Sequence, residues 1–246
     1  MRSATRAGLA SLLLLGLTNI ANAAPEDRRK LDEFKRIVAR DDVAELDRYR
    51  ADNRTLLASS DARPRIVLLG DSILFHWTDD KLPAPAKLNL INRGIPGQNT
   101  TQMLLRFEDD VVALAPKTVV LMGGTNDLRV YEGEPAAARD DVVARATRNL
   151  TAMADIAQAQ GIKVILCTVP PFGSDPKLQR DLGTVLALND WIRSFAKART
   201  YPVADTFMSL ADPAGYLPVE LAPDGLHPND EGYRRMWRRL ETALKS

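Results

Sequence analysis

The chain has 246 residues, 45% of them apolar, with 33 Lys and Arg against 32 Asp and Glu and a formal net charge of +1. That balance offers no concentrated positive charge for a phosphate backbone, so nucleic acid is excluded as a partner. One cysteine and two histidines leave the C-x-x-C and H-E-x-x-H zinc patterns unmet, and no metal or other cofactor is expected.

Arg2 and Arg6 precede an apolar run from Leu9 to Leu17, and Ala21-Asn22-Ala23 follows as an A-x-A site. The pattern predicts a secretory signal over residues 1–23, cleaved before Ala24, and hence a periplasmic or secreted protein. The apolar run is too short to cross about 30 Å of hydrocarbon, and no integral membrane anchor is expected after cleavage. Losing that segment leaves 223 of the 246 residues and lowers the basic count from 33 to 31 against 32 acids, a net charge near −1. A single α/β domain of that size buries a large core.

Residues 24–62 are expected to form a helical extension, with Leu31, Phe34, Ile37 and Val38 at helical spacing and Val43, Leu46 and Tyr49 further on. It is read as one or two helices packed outside the core, the alternative being a partner-binding arm. From Arg65 the pattern alternates. Strands are predicted at Arg65 to Leu69, Leu88 to Asn92, Thr118 to Met122, Lys163 to Thr168 and, more weakly, Tyr201 to Asp205. Helices are predicted at Thr101 to Leu114, Pro135 to Gln160, Leu178 to Arg199 and Asn229 to Lys245. Such alternation implies a parallel sheet with crossover helices. Continuous apolar runs such as Ile66-Val67-Leu68-Leu69 fit strands buried on both faces. Cys167 lies in one of these runs and is expected to be a buried, inert thiol.

In a parallel sheet, ligands bind beyond the carboxyl ends of the strands, where the strand order switches. Four short segments fall there or can fold over that edge: Gly70-Asp71-Ser72, Gly94, Gly124-Thr125-Asn126-Asp127 and Asp224-Gly225-Leu226-His227-Pro228. Together they hold the parts of an acyl-transfer site. A serine hydroxyl needs an adjacent base, and the base needs a third group to orient it. Of the two histidines, His76 lies four residues after Ser72 and is expected to point away from the rim. That leaves His227 as the base, with Asp224 three residues earlier to hold its Nδ1 proton. The oxyanion of a tetrahedral intermediate needs fixed donors. Candidates are the Ser72 N–H, the Gly94 backbone and the Asn126 side-chain amide.

These segments resemble the blocks of the SGNH hydrolase superfamily, the GDSL-type esterases and lipases. The nucleophile block matches Gly-Asp-Ser-Ile-Leu at Ser72, and the second block's glycine falls on Gly94. G-x-N-D falls on Gly124 to Asp127, and D-x-x-H-P on Asp224 to Pro228. Asn92-Arg93-Gly94-Ile95 and Gly123 to Asp127 are similar, more loosely, to the platelet-activating-factor acetylhydrolase-like branch. The likeness runs from about Arg65 to Leu244 and implies a flavodoxin-like three-layer α/β/α sandwich over 63–246, with a five-stranded parallel sheet. It also implies a Ser72-His227-Asp224 triad, an oxyanion hole of Ser72, Gly94 and Asn126, no cofactor, and hydrolysis of acyl esters.

Neither the G-x-S-x-G elbow, which needs glycine where Leu74 stands, nor a phosphate-binding glycine loop is present. Asp71 and Asp127 are read as turn-tying residues, and Arg129, Tyr131, Trp77 and Phe172 as possible pocket walls or packing. The expected substrate is a small-molecule or carbohydrate acyl ester, most plausibly an acetyl group on a sugar hydroxyl. A thioesterase, a lysophospholipase, an acyltransferase and a non-catalytic carbohydrate-binding protein stand as alternatives.

Overall fold

The computed structural model describes residues 42–78, 81, 88–129 and 136–246. The expected signal segment, the expected helical positions up to residue 41 and Tyr131 lie outside them. Two compact units divide the chain, Met1–Glu45 and Leu46–Ser246, and every element below belongs to the second.

The chain runs α1 (Arg50–Ala58), β1 (Arg65–Gly70), α2 (Ser72–Phe75), β2 (Asn89–Gly94), α3 (Thr100–Leu105), α4 (Phe107–Asp110) and β3 (Thr118–Met122). It continues with α5 (Ala136–Ala159), β4 (Lys163–Cys167), α6 (Leu182–Arg199), β5 (Val203–Ala204), α7 (Thr206–Leu210) and α8 (Asp230–Lys245). The five strands form one sheet in the order β2-β1-β3-β4-β5, with every pairing parallel. Alternate residues of β1 feed two separate cores. Val67 and Leu69 pack with Met103 and Phe107 before β3 and with Leu150 of α5 and Leu188 of α6. Ile66 and Leu68 pack with Ile73 of α2, Leu210 of α7 and Trp237 of α8. Both faces of the sheet are therefore covered, which is why its strands read as unbroken apolar runs, and the expected α/β/α sandwich is the fold observed. Among the described residues no helix is long and apolar enough to cross a membrane.

Three predicted elements differ in the structure. The single helix expected over Thr101 to Leu114 is three pieces, α3, α4 and a 3-10 turn at Val112–Leu114. The break falls at Arg106, whose backbone leaves the helical region at φ −100°, ψ 6°. Its fully buried guanidinium donates to Gln98 Oε1 at 2.6 Å, to Asp110 Oδ2 at 3.0 Å and to the Gly70 carbonyl at 2.9 Å. The helix expected from Leu178 starts at Leu182, because the Asp181 carboxylate accepts the Thr184 N–H and caps it there. The last strand shrinks to Val203–Ala204 because Asp205 caps a helix not foreseen in the sequence, α7, by accepting the Met208 N–H.

Pairing fixes where the strands end. Gly70 of β1 lies opposite Gly94 of β2 and opposite Met122 of β3, so the three strands stop at one level. The chain order turns back at β1, making this edge the switch point where a ligand crevice opens.

Removing the buried cation beneath that edge should be costly, because Asp110 and the Gly70 carbonyl would be left in the core without it. Arg106→Leu is expected to lower unfolding stability by about 3–5 kcal/mol, read as a shift of the urea midpoint at constant slope.

Candidate active site

The site begins with a tight turn off β1. Asp71 caps α2 by accepting the Ile73 N–H at 2.9 Å, and Ser72 is the first helical residue. An N–H in the first turn has no carbonyl partner within its helix, so the Ser72 amide is a free-standing donor next to its own hydroxyl. The side of α2 away from solvent is held by α8, where the Tyr233 hydroxyl donates to the Ile73 carbonyl at 2.8 Å.

Gly94 is needed for closeness. A Cβ there would lie 2.2 Å from the Phe75 nitrogen and 2.7 Å from the Leu74 carbonyl carbon, so α2 seats its backbone directly on the end of β2. Asn92 ties the same two elements together. Its Nδ2 donates to the Leu74 carbonyl at 2.6 Å and to the Trp77 carbonyl at 3.0 Å, while its Oδ1 accepts the Gly94 N–H at 2.9 Å. The Gly94 amide is thus engaged, and as an oxyanion donor it would have to share its proton between Asn92 and the ligand.

The Asp224 to His227 turn folds over this rim from the far end of the chain. Gly225, at φ +73°, makes the left-handed step, and its carbonyl accepts the Gly173 N–H at 2.7 Å. Asp224 Oδ1 accepts the N–H groups of Leu226 and His227 at 2.9 and 2.8 Å, and its Oδ2 meets His227 Nδ1 at 2.7 Å. Burial pushes the Asp224 carboxyl upward but is outweighed by these hydrogen bonds, mainly from His227, and the group lies below the ordinary carboxylate range. An ionised Asp224 draws the ring proton to Nδ1 and leaves the Nε2 lone pair facing outward. Nε2 lies 2.9 Å from Ser72 Oγ, across 155 residues of sequence. This arrangement can take a proton from a serine hydroxyl.

Asn126, half-buried after β3, donates one amide hydrogen to the Gln98 carbonyl at 3.0 Å. The second hydrogen of the same amide is left for a ligand. Asp127 beside it accepts the Thr100 N–H at 2.9 Å and the Thr100 hydroxyl at 2.5 Å. It ties the turn to the start of α3, the role read for it in the sequence. Cys167 is buried in β4, which pushes its thiol up to about 12.

One placement corrects the sequence reading, and others decide between readings it left open. His76, expected to face away, packs edge-on against His227 with ring centroids 5.1 Å apart. The helix is only one turn long, and the fourth residue after Ser72 returns to the same face. Burial, then the charges of His227 and Lys81, hold the His76 imidazole below its ordinary range, with Asp224 opposing. Of the two roles left open for Trp77, pocket wall or packing, the structure has packing. The side chain is fully buried and stacks on Tyr233 at 5.4 Å. Phe172 is likewise buried, edge-on to Tyr216, whereas Arg129 is exposed and donates to Gln179. The roles of Asn92, at the end of β2, and of Gln98 were not read from the sequence, because a lone amide carries no spacing signal. His76 could have been found from its i+4 separation.

Fold and site together define a class, the α/β/α acylhydrolases that act on esters. The chain belongs to the GDSL-like lipase/acylhydrolase family, whose model matches residues 68–235. It is similar to a GDSL-like lipase from Bacteroides thetaiotaomicron, with 31% identity and a TM-score of 0.70 over 82% of this chain and 98% of that one. A catalytic mutant of an acetylxylan esterase from Geobacillus stearothermophilus shares the fold at 18% identity, with a TM-score of 0.60 over 74% and 94% of the two chains. The lipoprotein YqeF of Bacillus subtilis is 38% identical over 85 residues, 34% of this chain and 33% of YqeF, so the match spans about a third of that relative.

Asp71 makes a titration test. Burial raises its carboxyl from 3.8 to about 6, against the pull of the Ile73 N–H and the Thr125 hydroxyl. A carboxyl whose folded value is raised favours the folded state while protonated, so this contribution is full below pH 3.8 and is lost as pH climbs to about 6. Asp71→Asn should therefore gain about 2 kcal/mol on wild type between pH 4 and pH 7, measured by urea unfolding at both values.

Proposed function

We propose that the protein is an exported serine esterase that removes a short acyl group, acetyl above all, from an alcohol such as a sugar hydroxyl. The contact that carries this reading is the 2.9 Å approach of His227 Nε2 to Ser72 Oγ. In this mechanism His227 takes the Ser72 proton as Oγ attacks the ester carbonyl, and Asp224 steadies the imidazolium that forms. The developing oxyanion is met by the Ser72 N–H, the free hydrogen of the Asn126 amide and the shared Gly94 N–H. His227 then protonates the departing alcohol, and water repeats the cycle on the acyl-serine.

Support for a polar alcohol comes from a cleft of about 670 Å³ that opens beside Asp224 and Gly225 and carries Ser174, Asp175, Asp212, Tyr216 and Glu220. These side chains offer hydrogen-bonding groups suited to a polyol. The acetylxylan esterase fold is compatible with that substrate class. Val219, 65% exposed at the same cleft, favours a second reading, a lysophospholipase or thioesterase acting on longer acyl chains. Export is supported by the Arg2-to-Ala23 signal pattern and by the lipoprotein nature of YqeF.

A series of p-nitrophenyl esters from acetate to palmitate tests the proposal. Turnover should be highest at acetate and fall by about 10³-fold or more in Ser72→Ala; a long-chain optimum would replace the acetylesterase with the alternative, and an active, folded Ser72→Ala protein would remove the mechanism. Asn126→Ala is expected to lower kcat by roughly 10²- to 10³-fold with little change in KM, because its free hydrogen meets charge that develops only in the transition state. A raised KM at constant kcat would instead make Asn126 a substrate-binding residue.

A further inference from the structure

The residues that brace the oxyanion loop from behind lie outside the span matched to the family, 68–235. Tyr49, just before α1, donates its hydroxyl to the Gly94 carbonyl at 2.5 Å. Its ring lies under the Arg93 guanidinium, 4.5 Å from the ring centroid. That guanidinium is fixed in turn by α1, through Asn53 Oδ1 at 2.7 and 3.0 Å and Asp52 Oδ2 at 2.7 Å. Arg48, the residue before Tyr49, places its guanidinium 5.2 Å from the ring centroid of Phe75, on the helix that begins with Ser72. The dipeptide Arg48-Tyr49 thus touches both the nucleophile helix and the oxyanion loop.

From this juxtaposition we infer that Tyr49 is a positioning residue of the ester-hydrolysing site, holding the Gly94 peptide in register with Ser72. The inference rests on the serine esterase reading above. Its physical basis is the glycine itself. Closeness to α2 forbids a side chain at position 94, and a residue without Cβ is the least able to hold its own backbone angles. Its orientation must come from outside. Asn92 Oδ1 holds the N–H side and Tyr49 the carbonyl side. Beyond Gly94 the chain turns through Ile95 to Gln98, whose carbonyl orients the Asn126 amide. Release of the Gly94 carbonyl therefore loosens two of the three oxyanion donors together. Burial raises the Tyr49 pKa and keeps the phenol a neutral donor.

Tyr49→Phe deletes one oxygen and keeps the ring beneath Arg93. With p-nitrophenyl acetate, kcat is expected to fall about tenfold with KM within twofold, and phosphonate labelling of Ser72 should slow by the same factor. A brace that serves stability alone would lower the thermal midpoint and leave both rates unchanged, which would overturn the inference, as would a rise in KM at constant kcat. Tyr49→Leu, which also removes the ring, should lose more of both rates; rates equal to wild type in that variant would likewise overturn it. A wild-type protein that neither turns over esters nor is labelled at Ser72 would overturn the esterase reading and this inference with it. An active wild type with an equally active Tyr49→Phe variant overturns the inference alone.

Discussion

The common level at which β1, β2 and β3 end is the constraint on which the site depends. Gly70, Gly94 and Met122 are paired across the sheet, so the loops that follow these strands leave from one line. A slip of one position in β2 would carry Gly94 away from α2, and the backbone of α2 would then meet a side chain. Register is enforced from both faces, because neighbouring residues of β1 belong to different cores and a slip would exchange them.

Beneath that rim the chain buries polar groups where apolar ones would have been simpler. Arg106 joins the last carbonyl of β1 to the Gln98 side chain and to Asp110, and Asn53 of α1 completes the Asp110 carboxylate at 2.9 Å. A fully satisfied buried network resists small displacements more sharply than a greasy contact does, since each misaligned bond leaves a desolvated group behind. The loops of an ester-cleaving site need that stiffness. On the esterase reading proposed above, the donors at this rim act only if they already stand where charge will appear.

Much of this was legible in the chain. The five strands, their parallel pairing and the four motif segments follow from apolar runs, punctuation and residue chemistry, while the strand order does not. Three kinds of feature were not. Arg106 interrupts a helical pattern through a tertiary contact with Gly70, which local periodicity cannot register. Asn92, Gln98 and Tyr49 act through hydrogen bonds in which a backbone group is one partner, and no repeat or spacing announces such contacts. His76 was expected to point away from the rim, whereas the single turn of α2, which ends after Phe75, brings the fourth residue after Ser72 back to the face where His227 stands.

The contact between Ser72 and His227 closes a loop of 155 residues, linking the first strand of the sheet to the turn before the last helix. No smaller fragment of the chain contains both halves. The 2.9 Å contact accordingly exists only in a chain whose first strand and last turn are both in place, and a chain still emerging or unfolded holds Ser72 apart from His227.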